Sequence, residues 1–245
     1  LKYIRIMEIE AADLNEDISA VFSPPPPLSS SSLHETGGSN QNFTRIDRKL
    51  YVAAMKGDFQ KLSTEQNLES LLTPNKNTVL HIHLTSTTSQ TVSEEFVKQI
   101  LDDKCRGLVL LPNAKGETLL HIAARYGHSN IAKLLLERVK AFPPADIEKG
   151  IGAEKKFMRA TNNEKNTALH EAVRYRHIEV VKTLLEMDPD YSYDANNANE
   201  TPLYLASQRQ NHQVVAEILN KVKSPAYGGP NNRTALHAAV INRDI

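Results

Sequence analysis

The stretch GETLLHIAARYGHSNIAKLLLE, residues 116–137, reads as two amphipathic helices joined by a turn at Gly127. In its second half Ile131, Ala132, Leu135 and Leu136 fall on one face at 3.6 residues per turn. Nearly the same text returns at residues 166–186 as NTALHEAVRYRHIEVVKTLLE. One such helix pair cannot bury its apolar face alone, so the repetition predicts that neighbouring units stack on one another.

Aligning one leucine from each unit extends the repeat over most of the chain. The aligned leucines are Leu50, Leu80, Leu120, Leu169, Leu203 and Leu236. Threonine stands two positions before five of them, at Thr78, Thr118, Thr167, Thr201 and Thr234, and only Arg48 departs. The last three leucines are 34 and 33 residues apart, whereas the earlier intervals of 30, 40 and 49 indicate insertions or losses.

Each aligned position has a physical reason. Threonine before an apolar run is a helix N-cap, and Pro202 after Thr201 occupies the first helical position, where proline is tolerated best. An alanine three positions after the leucine, small enough to let a second helix approach, recurs at Ala53, Ala123, Ala172, Ala206 and Ala239. Gly57 and Gly127 suit a left-handed helix end, whereas Arg176, Gln210 and Arg243 at that position should be mildly destabilising.

The second helix of each unit carries its own apolar stripe. Beyond residues 131–136, the predicted buried stripes are Val180, Val181, Leu184 and Leu185, then Val214, Val215, Ile218 and Leu219. The second unit should be the least regular, because His83 replaces its packing alanine. There we expect a second helix delayed by about five residues, to reach Phe96, Val97, Ile100 and Leu101.

Bulk composition excludes several classes of protein. The chain has 29 basic and 29 acidic residues, so no net field draws it to nucleic acid. Its single cysteine, Cys105, cannot form an internal disulfide, and no stretch is apolar enough to span a membrane, which together predict a soluble chain in a reducing compartment such as the cytosol. Residues 1–45, with PPPPLSSSS at 24–32, are predicted to be disordered, and a proline-rich docking peptide is an alternative interpretation of that segment.

A period near 33 with a T-x-L-H-x-A core resembles the ankyrin repeat. The resemblance covers residues 46–245 and implies an all-α solenoid of stacked helix-turn-helix units with β-turn fingers. We expect six repeats, near 46–76, 77–115, 116–164, 165–198, 199–231 and an incomplete 232–245.

Neither a metal centre nor a catalytic site is expected. His81, His121, His170 and His237 occupy one aligned position in different repeats, so roughly 8–10 Å separates them, whereas zinc needs its ligands within a few ångströms of one another. We interpret each imidazole as a bridge between the capping threonine and neighbouring backbone. No nucleophile, metalloprotease or nucleotide-binding motif occurs, so we predict no enzyme and no cofactor.

Ankyrin arrays, as the resemblance implies, bind other proteins through their finger tips and the concave face of their first helices. The predicted partner-binding residues at the tips are Lys115, Glu117, Glu164, Asn166, Glu200 and Arg233. On the helices they are Arg125, Tyr126, Arg174, Tyr175, Gln208 and Arg209. Two successive Arg-Tyr pairs are typical of binding hot spots, and the hypothesis is an acidic or aromatic peptide across repeats three to five. The alternative is that both pairs only solubilise the face.

The stretches NTVLHIHLTS (77–86), 116–137 and 154–186 are similar to plant ankyrin-repeat membrane proteins of the accelerated-cell-death and increased-tolerance-to-NaCl type. That resemblance implies a module for defence or stress signalling, tethered to the cytosolic face of the plasma membrane by a C-terminal transmembrane domain that the given chain, ending inside a sixth repeat, lacks. The alternatives are a substrate-recruiting arm of a RING ubiquitin ligase or an S-acyltransferase, and a soluble adaptor.

Overall fold

The computed structural model describes residues 44–65, 67–86, 92–103, 105–141 and 152–241. Within these residues lie twelve α-helices and two short strands. The helices are α1 (Arg48–Lys56), α2 (Phe59–Leu62), α3 (Val79–Ser86), α4 (Glu94–Asp103), α5 (Leu119–Tyr126), α6 (Ser129–Lys140), α7 (Ala153–Met158), α8 (Ala168–Arg174), α9 (Ile178–Met187), α10 (Pro202–Gln208), α11 (His212–Lys221) and α12 (Ala235–Ile241).

The helices form two layers of a stacked array. The first helices of the repeats pack in the order α1, α3, α5, α8, α10 and α12, and we call the surface they form the inner-helix face. The second helices pack in the order α2, α4, α6, α9 and α11. The predicted all-α ankyrin-type solenoid is therefore confirmed.

The predicted helix starts are confirmed. Thr118 and Thr167 each form a capping box in which the hydroxyl accepts the backbone N–H three residues later, and the Thr201 hydroxyl accepts from the Tyr204 N–H at 3.2 Å. In the first repeat Asp47 takes over this role, accepting from the Leu50 N–H at 2.7 Å. Capping satisfies backbone donors that a helix leaves free at its start, and so fixes the register of each repeat.

Each of these turns between paired helices contains one residue with a left-handed backbone conformation, as expected. Gly57 and Gly127 have φ of 68° and 76°, and the non-glycine residues Arg176 and Gln210 adopt 63° and 53° at the same aligned position. Arg243 lies outside the described residues.

The core runs along the array between the two layers. The aligned alanines Ala53, Ala123, Ala172 and Ala206 are at most 2% exposed. The prediction for the fifth outer helix is wrong in part, since Val215 is only half-buried and Leu219 is 55% exposed. The reason is that no second helix of a sixth repeat lies among the described residues to cover α11.

The last described helix has an open apolar face. Leu236 is 73% exposed, and Val240 and Ile241 are 64% and 54% exposed, although α12 packs against α10. Ala239 is exposed as well, unlike the alanine aligned with it in the other repeats.

The irregular second repeat follows the prediction. Helix α4 begins only at Glu94, and Phe96, Val97, Ile100 and Leu101 are all buried. The His83 ring packs against Phe96 with 4.5 Å between ring centroids, so the larger side chain fills space that alanine would leave.

At the N-terminal end, strand β1 (Thr44–Arg45) pairs in parallel with β2 (Leu71–Leu72). Thr44 and Arg45 thus belong to the array, although the predicted tail ran to residue 45. The predicted disorder of the preceding segment, and the docking peptide at 24–32, fall on residues 1–43, which lie outside the described residues.

Candidate partner-binding face

The histidines aligned on the first helices join successive repeats. His81, His121 and His170 each donate from Nε2 to a backbone carbonyl at the base of the next finger, those of Glu117, Asn166 and Glu200, at 3.1, 2.9 and 3.1 Å. Their Nδ1 atoms lie 2.9 Å from the hydroxyl of the capping threonine. This confirms the predicted bridge between threonine and neighbouring backbone for these three.

These imidazoles are neutral. A carbonyl can only accept, so Nε2 carries the proton, and Nδ1 accepts from the threonine N–H. Burial lowers the pKa of His81 and His170 from 6.5 to about 4, and lowers the pKa of His121 as well. The bridges therefore consist of neutral hydrogen bonds at physiological pH.

The fifth repeat keeps the bridge with a different residue. Tyr204 stands where repeats two, three, four and six have histidine, and the Thr201 hydroxyl itself donates to the Gly228 carbonyl at 2.8 Å. Gly229 lies so close to the Tyr204 ring that an added Cβ would stand 2.1 Å from it. Glycine at this position is what lets the tyrosine fit.

A second set of histidines was not found by sequence reasoning. His83, His128 and His177 each hydrogen bond to a carbonyl of the preceding inner helix, those of Ala54, Leu84 and Arg125, at 3.1, 3.1 and 2.8 Å. His83 reaches its carbonyl from within α3, whereas His128 and His177 do so from the turn before the second helix. His83 holds a different aligned position from His128 and His177, and each carbonyl partner lies in another repeat. The repeat pattern therefore did not indicate this role.

The fingers are rigid because asparagines close them. The side-chain oxygens of Asn113, Asn162 and Asn196 each accept two backbone N–H groups from their own finger at 2.9–3.0 Å. Backbone bonds from Ala114 N to Asn75 O and from Asn163 N to Lys115 O then connect neighbouring fingers. A partner would therefore meet a preformed edge.

Five charged residues form a continuous row on the inner-helix face. This concave charge row consists of Glu117, Arg125, Glu171, Arg174 and Glu200. Arg125 is bound tightly, donating from Nη2 to the Glu117 carboxylate and from Nε to Glu171 Oε2 at 3.0 Å. Arg174 is bound loosely, at 3.8 Å from Glu171 Oε1 and 3.6 Å from Glu200 Oε2.

The residue at the base of each finger explains this difference between the two arginines. Glu117 precedes Thr118 and supplies a carboxylate to Arg125, whereas the corresponding residue, Asn166, offers Arg174 only an amide oxygen at 3.4 Å. The two nearby carboxylates raise the pKa of Arg125 despite its burial, and Arg125 in turn lowers that of Glu117 against the effect of burial. Arg125 thus joins two repeats through tight ion pairs, whereas Arg174 makes only long contacts.

The predicted partner-binding residues fall into three groups by exposure. Those exposed are Lys115, Tyr126, Glu164, Tyr175, Gln208, Arg209 and Arg233; those half-buried are Arg125, Arg174 and Glu200; those buried are Glu117 and Asn166. The expectation that Glu117 and Asn166 stand at exposed tips is wrong, because both point into the base of the finger and hydrogen bond there. Tyr126 and Tyr175 are 37% and 43% exposed, and the Arg125 guanidinium lies 6.0 Å from the Tyr175 ring centroid.

Glu171 is the member of the row that sequence reasoning missed. It stands two positions after its aligned leucine, where other repeats carry the buried Ile82, Ile122 and Leu205, and it is 1% exposed. A carboxylate at an otherwise apolar aligned position was the available signal.

Within the described ranges, no group of three or more histidine, cysteine or acidic side chains is placed to hold a metal ion. None of the described helices combines the length and apolar character needed to cross a bilayer.

Stacked helix-turn-helix units, rigid interlocked fingers and a continuous inner face define a repeat protein built to present an extended surface. The family model for ankyrin repeats (three copies) matches residues 50–149 and 93–195. The chain belongs to the ankyrin-repeat family. A search among curated proteins gives no match.

Proposed function

We propose that this chain binds a partner protein along the inner-helix face and finger tips of repeats three to five, through an acidic or aromatic segment of the partner. Ankyrin repeats indicate a protein-interaction module, and such domains are typically non-catalytic. The proposed module is the array predicted at 46–245, extended to Thr44 by strand β1, with the residues before Thr44 as a tail. The residues proposed for partner contact are those that the sequence analysis named, with Glu117 and Asn166 supporting the fingers from within.

The observation that carries the proposal is the pair of exposed aromatic rings on adjacent repeats. Tyr126, the last residue of α5, and Tyr175, which directly follows α8, occupy the same aligned position, and the two helices pack directly on each other. A tyrosine of this kind offers a large rigid contact area at low entropy cost, and buried tyrosine and arginine commonly contribute 2 kcal/mol or more at hot spots.

Among the predicted contact residues, the charges favour Arg209 over Arg125 and Arg174 for an acidic partner. Arg125 and Arg174 already face three carboxylates in the concave charge row, so an acidic partner gains little from them. Arg209 holds, in the fifth repeat, the aligned position that Tyr126 and Tyr175 hold in the third and fourth. It is exposed and forms no salt bridge among the described residues. An acidic partner residue is therefore proposed beside Arg209, and aromatic or aliphatic residues beside the tyrosines.

The test is panning a random peptide library on the wild-type chain and measuring the affinity of the selected peptides by fluorescence polarisation. The double variant Tyr126→Ala/Tyr175→Ala should weaken binding by at least about tenfold. Tyr227→Ala removes another exposed tyrosine, from the last finger, and should leave binding unchanged. Equal losses in both variants would exclude the face.

In the cell, we propose a membrane-tethered scaffold in plant defence or stress signalling, supported by the sequence similarity of residues 77–86, 116–137 and 154–186. The alternatives remain a recruiting arm of a ubiquitin ligase or S-acyltransferase, and a soluble adaptor. The full-length transcript decides between them: further apolar helices alone favour the scaffold, and spaced cysteine and histidine ligands favour the enzyme arm.

A further inference from the structure

We propose that Glu171 and Arg174 form a subsite that takes the primary carboxamide of an asparagine or glutamine side chain in the partner. We call it the carboxamide subsite. It rests on the proposed function, because it lies on the inner-helix face between the third and fifth repeats, and it specifies one residue type that the partner must present there.

One half of the subsite is an acceptor without a donor. Glu171 is 1% exposed, its Oε2 accepts from Arg125 at 3.0 Å, and its Oε1 has no hydrogen-bond partner. A buried carboxylate oxygen without a donor is destabilising, so a group that supplies a hydrogen there is favoured.

The other half is a donor with little to bind. The contacts of Arg174 with Asn166 Oδ1, Glu200 and Glu171 measure 3.4, 3.6 and 3.8 Å, all longer than a normal charged hydrogen bond. Its side chain is 24% exposed, so the guanidinium borders the groove. Arg174 can therefore accept a new partner without losing a strong bond.

The distance between the two halves fits a primary carboxamide. Arg174 Nη1 and Glu171 Oε1 are 3.8 Å apart. A carboxamide places its oxygen and nitrogen about 2.2 Å apart, from bond lengths of about 1.23 and 1.33 Å. With two hydrogen bonds of about 2.9 Å, one to each atom, it closes a planar ring over the pair.

Charged side-chain groups and the trans backbone amide do not satisfy both atoms. A carboxylate offers no donor to Glu171 and enters a row that already holds three carboxylates against two guanidinium groups. An ammonium group offers no acceptor to Arg174, and a trans backbone amide points its oxygen and hydrogen in opposite directions. A hydroxyl can meet the two atoms only through its single oxygen, whereas a primary carboxamide presents a separate donor and acceptor on one edge without adding charge.

The experiment uses short peptide pools with a fixed central glutamine, glutamate, lysine or methionine, and with those residues and asparagine excluded from the randomised flanks. Affinity is measured for the full chain and for Arg174→Met, Asn166→Glu and Arg138→Met. Asn166→Glu gives repeat four the finger base of repeat three, and so supplies Arg174 with its own carboxylate. Arg138→Met is the charge-matched control, since Arg138 pairs with Asp102 on the outer helices.

We expect the wild type and Arg138→Met to bind the glutamine pool roughly tenfold more tightly than the other pools, the size of one or two hydrogen bonds. Arg174→Met and Asn166→Glu should remove that preference while retaining the weaker binding common to all pools. Equal binding of all pools by the wild type overturns the subsite and leaves the proposed function standing. No binding of any pool overturns both, and an unchanged glutamine preference in Arg174→Met overturns the subsite, because the preference then does not depend on Arg174.

Discussion

The capping histidines should make the array lose stability on mild acidification, well before its carboxylates protonate. His81 and His170 are fully buried, and burial lowers the pKa of each from 6.5 to about 4. Between these two values the unfolded chain binds more protons than the folded chain. The stability that the neutral rings contribute is therefore complete above pH 6.5 and falls as the pH drops towards 4.

The size of the effect follows from the same values. At about pH 5 each histidine should cost about 2 kcal/mol relative to pH 7.5, and the pair about 4 kcal/mol, to order of magnitude. His121, His83, His128 and His177 also have lowered pKa values from burial, so the sum is a lower bound. Against a typical stability of about 5–15 kcal/mol this is a large fraction.

The assay is urea unfolding followed by circular dichroism between about pH 7.5 and 5 at constant ionic strength. With a slope of roughly 2 kcal/mol per molar urea, the wild-type midpoint should fall by about 2 M over this range. His81→Gln/His170→Gln should start lower, and its midpoint should fall by about 2 M less than that of the wild type over this range. His212→Gln, at the exposed start of α11, should retain the wild-type slope. A wild-type midpoint that is constant over this range, or a double variant with the wild-type slope, would refute the reasoning.

Three further changes should alter stability, each measurable by urea or thermal unfolding. Arg159→Met leaves the fully buried Asp188 without its bidentate partner at 2.6 and 2.9 Å and should cost about 3 kcal/mol; a loss under about 1 kcal/mol would mean that the pair contributes little. Gly127→Ala should cost about 1–2 kcal/mol, because φ is 76° and the new Cβ would lie 2.5 Å from the His177 ring; wild-type stability would contradict this. Lys165→Gly should instead stabilise by about 0.5–1 kcal/mol, since this exposed residue has φ of 58°, and a loss would show that backbone entropy outweighs strain.

Features fixed by local chemistry could be predicted from the sequence. A threonine cap such as Thr118, a glycine turn such as Gly127 and an apolar stripe each depend on neighbours within a few residues, so spacing alone indicates them. The delayed helix α4 was predictable for the same reason, because its apolar residues keep the helical period after the insertion.

Apart from the bridges of the aligned histidines, features that depend on contacts between repeats could not be predicted. The partner of His177 is the carbonyl of Arg125, fifty-two residues away, and Arg125 itself is bound by Glu171 of the next repeat. Aligning the repeats showed that Arg125 and Arg174 are equivalent in position. It did not show that one is saturated and the other is not, because that depends on the residue at the base of each finger.

Rigidity and recognition therefore share the inner-helix face but use different members of an aligned pair. Burying a carboxylate such as Glu171 between two repeats costs desolvation free energy. Buried apolar side chains at that aligned position join other repeats without this cost. Arg125 of the third repeat binds the Glu171 carboxylate tightly through Oε2, so this arginine has little hydrogen-bonding capacity left for a partner. Within the fourth repeat, Oε1 of the same carboxylate has no hydrogen-bond donor, and Arg174 makes only long contacts. The exposed Tyr175 follows Arg174 in the chain. A partner can therefore add the most hydrogen bonds in the fourth repeat, where those of Glu171 and Arg174 are least complete.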